Sequence, residues 1–138
     1  MSESRGALDG LTVLDVATLA AGPWVATFLA EFGADVIKVE QPGGGDGMRR
    51  FGPQKDGVGL MWRSTSRNKR CVTLNLRVPE GQDLLRRLVA TADVVIENFR
   101  PGTLAGWGIG YEHLRAVNRG LVMLHVTGFG QTGPYAPR

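Results

Sequence analysis

Two short apolar runs on either side of one helical pattern constrain the fold of this chain most strongly. Residues 11–16 (LTVLDV) and 35–40 (DVIKVE) have strand length and are rich in β-branched residues. Between them apolar residues recur at helical spacing, Pro23 suits the first helical position, and Gly33 stands where a C-terminal glycine cap belongs. Strand, helix and strand in such close succession predict a βαβ unit with a right-handed crossover.

The remainder of the chain continues the alternation after one interruption. Residues 41–70 carry a glycine run and no regular period, which predicts a long functional or disordered loop. After it we expect strands at 71–76, 93–97 and 121–126, a helix that begins at Pro79, and a helix over 111–118. The predicted fold is an α/β domain with a Rossmann-like, open and mainly parallel sheet flanked by helices.

Length and composition predict one folded domain. The chain has 138 residues, a typical domain size, and its 43% hydrophobic content argues against disorder. We expect residues 1–7 to be a flexible N-terminus and residues 8–138 to form the domain. No apolar run approaches the ~20 residues of a membrane helix, and the first residues lack a signal-peptide pattern. A single cysteine cannot form an internal disulfide, which predicts a cytoplasmic protein. With only two histidines beside it, the sequence also argues against a metal site. The absence of a long apolar run predicts no membrane partner.

Positive charge is concentrated in one stretch, which we call the basic segment (residues 49–77). It holds eight Lys or Arg residues and one acidic residue, Asp56, although the whole chain carries only +3. A protein that coats nucleic acid usually builds its basic face from wider regions. The distribution therefore favours a localised anionic ligand. Two alternatives stay open, namely solvated loop charges and a nucleic-acid binder, which would be retained on heparin or RNA.

Glycine and proline mark the segments that follow the predicted strands. Ligands bind parallel α/β sheets outside the carboxyl ends of the strands, where loops offer backbone N–H groups. The phosphate-binding glycine motifs and the nucleophile elbow are absent from these segments. The candidate ligand-binding segments are residues 17–23, 41–47, 98–102 and 127–135.

Three residues with reactive side chains receive structural interpretations. Cys71 is interpreted as a small buried residue, with a lowered thiol pKa beside Lys69 and Arg70 as the alternative. His125 is interpreted as a hydrogen-bonded core histidine and His113 as a solvated one.

Five blocks of the chain, contained in four stretches of sequence, carry a resemblance to a known family, namely residues 14–23, 33–40, 68–75, 97–102 and 127–135. The stretches "LDVATLAAGPWVATFLAEFGADVIKVEQPGGGD", "NKRCVTLNLRVPEG", "ADVVIENFRPGTLAGWGIGYEHL" and "TGFGQTGPY" resemble the N-terminal part of family III CoA-transferases. That group includes formyl-CoA transferase, carnitine CoA-transferase and α-methylacyl-CoA racemase. The resemblance extends over nearly the whole chain from Leu8 onward and is specific for the family, but it does not identify a substrate.

The resemblance implies nine positions that contact CoA. Residues 19–21 match the chain beside the pantetheine and thioester, Leu74 matches an adenine wall, and Arg77 matches a phosphate partner. Residues 98–100 match pantetheine and diphosphate contacts. The implied CoA-binding residues are Leu19, Ala20, Ala21, Gln41, Leu74, Arg77, Asn98, Phe99 and Arg100.

Three of the family's positions carry different residues in this chain. Some transferases have a glutamine where Ala20 stands, and many members have an arginine over the nucleotide where Gln41 stands. A further family arginine falls at Gly106. The resemblance therefore supports a basic phosphate contact at Arg77 better than one at Gln41.

The chemistry implied by the resemblance depends on residues that follow the "TGFGQTGPY" block. In the transferases, an aspartate is acylated by the CoA thioester and passes through anhydride and thioester intermediates. In the racemases, a histidine and an aspartate exchange the α-proton. No residue of this chain matches these groups, so no catalytic residue is assigned. We expect a chain that is inactive alone, with the nucleophilic aspartate beyond it.

The block at 127–135 reads closer to the transferases, which implies movement of CoA between carboxylic acids. An acyl-CoA and a carboxylic acid are then the expected partners, with CoA as substrate, no tightly bound cofactor and no nucleic acid. A homodimer is also implied, because family members form interlocked dimers. The alternatives are a racemase-like acyl-CoA enzyme fragment and a non-catalytic CoA- or nucleotide-binding module. The reading frame downstream of the codon for Arg138 would discriminate a split enzyme from the module.

Overall fold

A five-stranded parallel sheet organises the computed structural model, which describes residues 6–136. Residues 1–5, most of the predicted flexible N-terminus, lie outside the described residues. The strands are β1 (Thr12–Asp15), β2 (Asp35–Glu40), β3 (Gln54–Lys55), β4 (Val58–Gly59), β5 (Lys69–Thr73), β6 (Val94–Glu97) and β7 (Val122–His125). The helices are α1 (Ala21–Glu31), a 3-10 helix (Gly47–Arg50), α2 (Leu60–Thr65), α3 (Pro79–Val89), α4 (Thr103–Gly106) and α5 (Tyr111–Val117).

The strand order of the sheet places a crevice beside its central strand. The order is β5-β2-β1-β6-β7, and all four pairings are parallel. The chain starts at β1, moves outward to β5, returns to β6 on the other side of β1 and moves outward again to β7. This reversal opens a crevice outside the carboxyl ends of β1 and β6, where parallel sheets bind ligands. The expected open, mainly parallel α/β sheet flanked by helices is confirmed.

Both faces of the sheet are buried by helices. Successive side chains of β1 point to opposite faces, so Val13 and Leu14 belong to two different cores. The Val13 side packs against α1 through small residues such as Ala26 and Ala30. The Leu14 side packs against α3, α4 and α5 and holds the larger aliphatic side chains, among them Leu85. A sheet covered on both faces explains why its strands read as continuous apolar runs.

Helix α1 packs closely on the sheet because the face it turns toward the sheet consists mainly of small residues. A Cβ atom added at Gly22 would lie 2.3 Å from the Cβ of Ala17, so the helix can approach β1 only with glycine there. The helix begins at Ala21, two residues before the predicted start at Pro23. Gly33 has φ +105°, and the N–H of Ala34 donates to the carbonyl of Leu29. The predicted glycine cap at Gly33 is therefore confirmed.

The segment predicted to be one long loop is largely ordered. It contains the 3-10 helix, the β3–β4 hairpin and α2, and it is anchored where Thr27 Oγ1 donates to the carbonyl of Thr65 at 2.6 Å. The next strand, β5, runs from Lys69 to Thr73 and not from 71 to 76. The predicted start was wrong because the charged residues Lys69 and Arg70 were excluded from the strand. Both lie in the strand, where each pairs with an acid of another strand of the sheet.

The remaining elements agree with prediction to within a residue or two, with one omission. Helix α3 begins at Pro79 as predicted, and α5 and β7 fall inside their predicted ranges. The short helix α4 was not predicted. Strand β7 is an edge of the sheet, and its outer residue Val122 is 60% exposed. Among residues 6–136, no helix combines the length and the apolar character needed to cross a membrane.

A matched pair of glycine substitutions tests the packing of α3. A Cβ at Gly81 would lie 2.0 Å from the carbonyl oxygen of Asn75, and backbone atoms cannot yield as a flexible side chain can. We expect Gly81→Ala to lower the free energy of unfolding by about 1–3 kcal/mol. Gly106→Ala in α4 is the control, because its Cβ would enter open space, and it should leave stability unchanged or raise it by up to about 1 kcal/mol. Urea unfolding measures both, and equal effects would contradict the packing argument.

Candidate functional site

A cleft of about 500 Å³ lies at the carboxyl edge of the sheet. Its walls come from the segments that follow β1, β2, β5 and β6, so sequence-distant loops meet at one place. Predicted ligand-binding segments 17–23, 41–47 and 98–102 all contribute to it, and residues after β5 add a further wall that the prediction of ligand segments left out.

Five of the nine predicted CoA-binding residues line this cleft. Ala20 and Ala21 continue from Leu19 into the first turn of α1 and are exposed beside it. Asn98 hydrogen-bonds to the backbone of the loop after β1. Its side chain accepts from the N–H of Thr18 and donates to the carbonyl of Thr18, both at 2.8 Å. The five lining residues are Leu19, Gln41, Leu74, Arg77 and Phe99.

One predicted residue, Arg100, lies at a different cavity. This second cavity, of about 340 Å³, lies beside α4 and α5 and also contains Glu97, His113 and His125. The contact of Arg100 with CoA stays a prediction.

The cleft has an apolar side and one cationic position. Phe99 packs edge-on against Trp107, with ring centroids 5.5 Å apart, and Leu19 and Leu74 add aliphatic surface. Arg77 is the one basic side chain among the cleft-lining residues described, and it is exposed. An arginine that projects into a mostly apolar cleft fits a ligand that carries phosphate at one end and an apolar chain at the other.

At the cleft floor and beneath it, two lysines and two aspartates form what we call the buried charge network (Asp15, Lys38, Asp46 and Lys69), of which Asp46 lines the cleft. The Nζ of Lys38 lies 3.0 Å from Oδ2 of Asp46 and 3.4 Å from Oδ1 of Asp15. The Nζ of Lys69 lies 2.9 Å from Oδ2 of Asp15, and all four side chains are at most 1% exposed. Burial lowers the pKa of Lys69, although Asp15 opposes this. Breaking such a network at one member is costly because it leaves a buried charge without its partner.

The lysines of this network also bind the backbone of the loop after β1. Lys38 donates to the carbonyl of Ala17, and Lys69 donates to the carbonyl of Pro23 at 2.7 Å. Residues 17–23 are therefore held at both ends by charge-assisted hydrogen bonds.

Glu40 forms a second buried ion pair at the end of β2. Arg49 donates to both of its carboxylate oxygens at 2.7 Å and lies 4.0 Å from the centroid of the Trp62 ring. Burial alone would raise the pKa of Glu40, but hydrogen bonds from Arg49 and from the N–H of Asp46 outweigh it, and the pKa is lowered from 4.5. Glu40 is therefore a structural carboxylate that is held ionised.

Four basic residues of the basic segment form ion pairs with acids from elsewhere in the protein. Arg49, Arg67, Lys69 and Arg70 pair respectively with Glu40, Glu31, Asp15 and Asp35. Half of the eight basic residues thus connect the segment to the rest of the domain. The charge distribution predicted a localised anion site in this segment. Arg77 is the candidate for that site, since it is the member of the segment that lines the cleft.

Cys71 differs from both interpretations given to it. The residue is exposed, so it is not a buried core side chain. Its thiol is partly desolvated and faces Glu40, and together these raise its pKa above 9.0. The expectation that neighbouring cations lower the thiol pKa is wrong, because Lys69 and Arg70 point to Asp15 and Asp35 instead.

The two histidines are placed largely as expected. Nδ1 of His125 pairs with Glu97, whose other oxygen accepts from the N–H of Phe99 at 2.7 Å. His125 is hydrogen-bonded as predicted but only partly buried, since β7 is an edge strand. His113 is exposed on α5. In the part of the chain that the structure describes, no group of three or more His, Cys, Asp or Glu side chains could hold a metal ion.

Comparison with known proteins identifies the family. Residues 8–138 match the family model described as CoA-transferase family III. The chain belongs to this family. A solved CAIB/BAIF family protein from Brucella suis superposes with a TM-score of 0.91 and 48% identity, over 97% of this chain and 36% of that one.

Curated relatives of this family III chain are named as CoA-transferases. The chain is 58% identical over 132 residues to the succinyl-CoA–L-malate CoA-transferase beta subunit of Chloroflexus aurantiacus, which covers 95% of this chain and 33% of the relative. It is 39% identical over 132 residues to the human succinyl-CoA:glutarate CoA-transferase, covering 95% of this chain and 30% of the relative. The chain thus spans about a third of the length of the curated relatives it matches.

Sequence reasoning missed the residues that shape this family III cleft from below. Asp46 lies in the predicted ligand-binding segment 41–47 and accepts from the N–H of Leu19, but neither Asp46 nor Lys38 was given a role of its own. One signal was available, because Lys38 is a charged residue in the middle of an apolar parallel strand, and lysine is almost never fully buried unless it is paired.

The lowered pKa of Glu40 leads to a pH prediction. The folded-state pKa lies below the unfolded value of 4.5, so the stabilisation from Glu40 is complete above that pH and is lost as the pH falls through the folded pKa. We expect Glu40→Gln to be less stable at pH 7 and to lose less further stability than wild type as the pH falls below 4.5. Thermal unfolding across pH measures this, with Glu112→Gln on α5 as the exposed control. Parallel profiles for wild type and Glu40→Gln would contradict it.

Proposed function

We propose that this chain provides the CoA-binding cleft of an enzyme that transfers CoA between carboxylic acids. The observation that carries the proposal is the cleft itself, which lies at the carboxyl edge of a parallel sheet and joins an apolar wall to the exposed Arg77. The family III membership of the chain supplies the ligand class.

The charge distribution of the cleft supports one orientation for CoA. Arg77, with Leu74 beside it, is proposed to receive the phosphate-bearing adenosine end. The pantetheine arm then runs along Leu19 and Phe99, where the wall is apolar. Glu40 and Asp46 also line the cleft but are paired with Arg49 and Lys38, so they do not repel the phosphates as free carboxylates would.

The ion pairs of Glu40 and Asp46 also bear on which residue can act as the nucleophile. In the proposed reaction, an aspartate carboxylate attacks the acyl-CoA carbonyl, forming a mixed anhydride and releasing CoA thiolate. The thiolate then attacks the aspartyl carbonyl, which releases the first acid and leaves an aspartyl-CoA thioester. The acceptor acid reverses the two steps and leaves with CoA. Both carboxylates that line the cleft are buried in ion pairs, which supports a nucleophile supplied from outside these residues.

The names of the relatives indicate which acyl-CoA to test first. Succinyl-CoA or succinate occurs in the names of the relatives from Chloroflexus aurantiacus, Agrobacterium fabrum and human. We therefore propose succinyl-CoA as the donor, with a second dicarboxylic acid as acceptor. These names favour CoA transfer over the racemase alternative. The homodimer expected from the resemblance and the cytoplasmic location expected from the single cysteine stay predictions.

Calorimetry with CoA tests the proposal directly. We expect the chain to bind CoA and Arg77→Ala to weaken binding about five- to tenfold, because the variant removes a charge-assisted but solvent-screened contact to phosphate. Arg63→Ala on α2 is the matched control, since Arg63 is exposed and lies outside the cleft. Absence of CoA binding at millimolar concentration, or equal losses in both variants, would contradict the proposal. Retention on RNA that survives saturating CoA would instead favour a nucleic-acid binder.

A further inference from the structure

Leu19 adopts a backbone conformation that a leucine rarely takes. Its φ is +60°, in the left-handed region that favours glycine, and Leu19 is 47% exposed at the cleft wall. Exposure at this level means that packing of the side chain alone does not impose the conformation. Strained residues persist only where the surroundings hold them, and they concentrate at ligand sites.

The group that holds Leu19 is the carboxylate of Asp46. Oδ1 of Asp46 accepts from the N–H of Leu19 at 3.0 Å and from the N–H of Met48 at 2.8 Å. Asp46 is only 3% exposed, and its Oδ2 lies 3.0 Å from Nζ of Lys38. One buried carboxylate therefore fixes the loop after β1 to the turn that precedes the 3-10 helix.

Lys38 completes the attachment from below. It donates to the carbonyl of Ala17, two residues before Leu19, while it pairs with Asp46. The loop is thus hydrogen-bonded at the Ala17 carbonyl by Lys38 and at the Leu19 N–H by Asp46, and these two side chains form one ion pair. The turn after β2 also lies against Leu19, because a Cβ at Gly47 would approach the Leu19 Cδ2 atom to 2.8 Å.

We propose that Lys38 and Asp46 are positioning residues that hold Leu19 in its left-handed conformation and thereby shape the end of the cleft that receives the pantetheine arm. This inference rests on the proposed function. Although Asp46 lines the cleft, its carboxylate is taken up by Lys38 and by the N–H groups of Leu19 and Met48, so no direct contact with the ligand is assigned to the pair. It acts through the backbone of residues 17–19, so its loss should affect the pantetheine end and leave the adenosine end near Arg77 unchanged.

The experiment compares two ligands on one variant. Asp46→Asn removes the charge that pairs with Lys38 and turns a donor amide toward the lysine, but Lys38 keeps Asp15 as a partner. We expect the Kd for CoA to rise about tenfold, as it would if the loop kept its binding conformation about a tenth of the time. The Kd for adenosine 3′,5′-bisphosphate, which lacks the pantetheine arm, should change less than about twofold. Asp35→Asn is the control, because it removes a carboxylate from an exposed ion pair with Arg70.

Each outcome supports or overturns the inference. Selective loss of CoA affinity supports it, whereas unchanged CoA affinity, or equal losses for both ligands, overturns it and leaves the proposed function standing. If the wild-type chain binds neither ligand, the proposed function fails and the inference falls with it. Should Asp46→Asn not fold, Asp46→Ser replaces it, because serine can still cap the 3-10 helix through the N–H of Met48 but carries no charge for Lys38. The same selective loss is expected from Asp46→Ser, and its absence overturns the inference.

Discussion

The buried charge network under the cleft is the constraint on which the rest of the site depends. Its four members come from three neighbouring strands and one loop, and each charge is out of contact with water. A charge removed from water is tolerated only beside its partner. The network can therefore form only when β1, β2 and β5 are in register, and the same alignment brings their terminal loops together as the walls of the cleft.

The network also explains why a chain with so many glycines has a defined site. Most segments at the carboxyl edge are short of side chains that could pack, and several glycines there have positive φ. Lysine and aspartate side chains fix the conformation of residues 17–23 by hydrogen bonds to their backbone groups. Order at this edge thus comes from polar groups, whereas order in the two cores comes from aliphatic packing.

The parts of the fold that were predictable have local causes. The unit from β1 to β2 follows from apolar periodicity and from the cap at Gly33, all within a few turns of chain. The ordered segment between β2 and β5 was not predicted, because contacts such as Arg49 with Glu40 and Thr65 with Thr27 join residues that no sequence period connects. The start of β5 was misplaced for the same reason, since its charges are satisfied by distant partners.

The site was predictable to the extent that family motifs mark it. Five positions named from the resemblance line the cleft, and Asn98 instead supports the backbone of Thr18. Net charge was a poor guide, because charge along the sequence does not tell whether a cation faces a ligand or an acid of the same protein. The roles of Lys38 and Asp46 were not predicted, since their partners are backbone atoms, each other and, for Lys38, the distant Asp15, and such partners leave no motif.

The position of β1 in the sheet has a consequence for how the protein is made. β1 is synthesised before both strands that pair with it, and the second of these, β6, ends only at Glu97. Until then a nascent chain presents one side of its central strand unpaired, and unpaired strands of incomplete sheets invite association with other chains. Contacts this distant in sequence also slow folding.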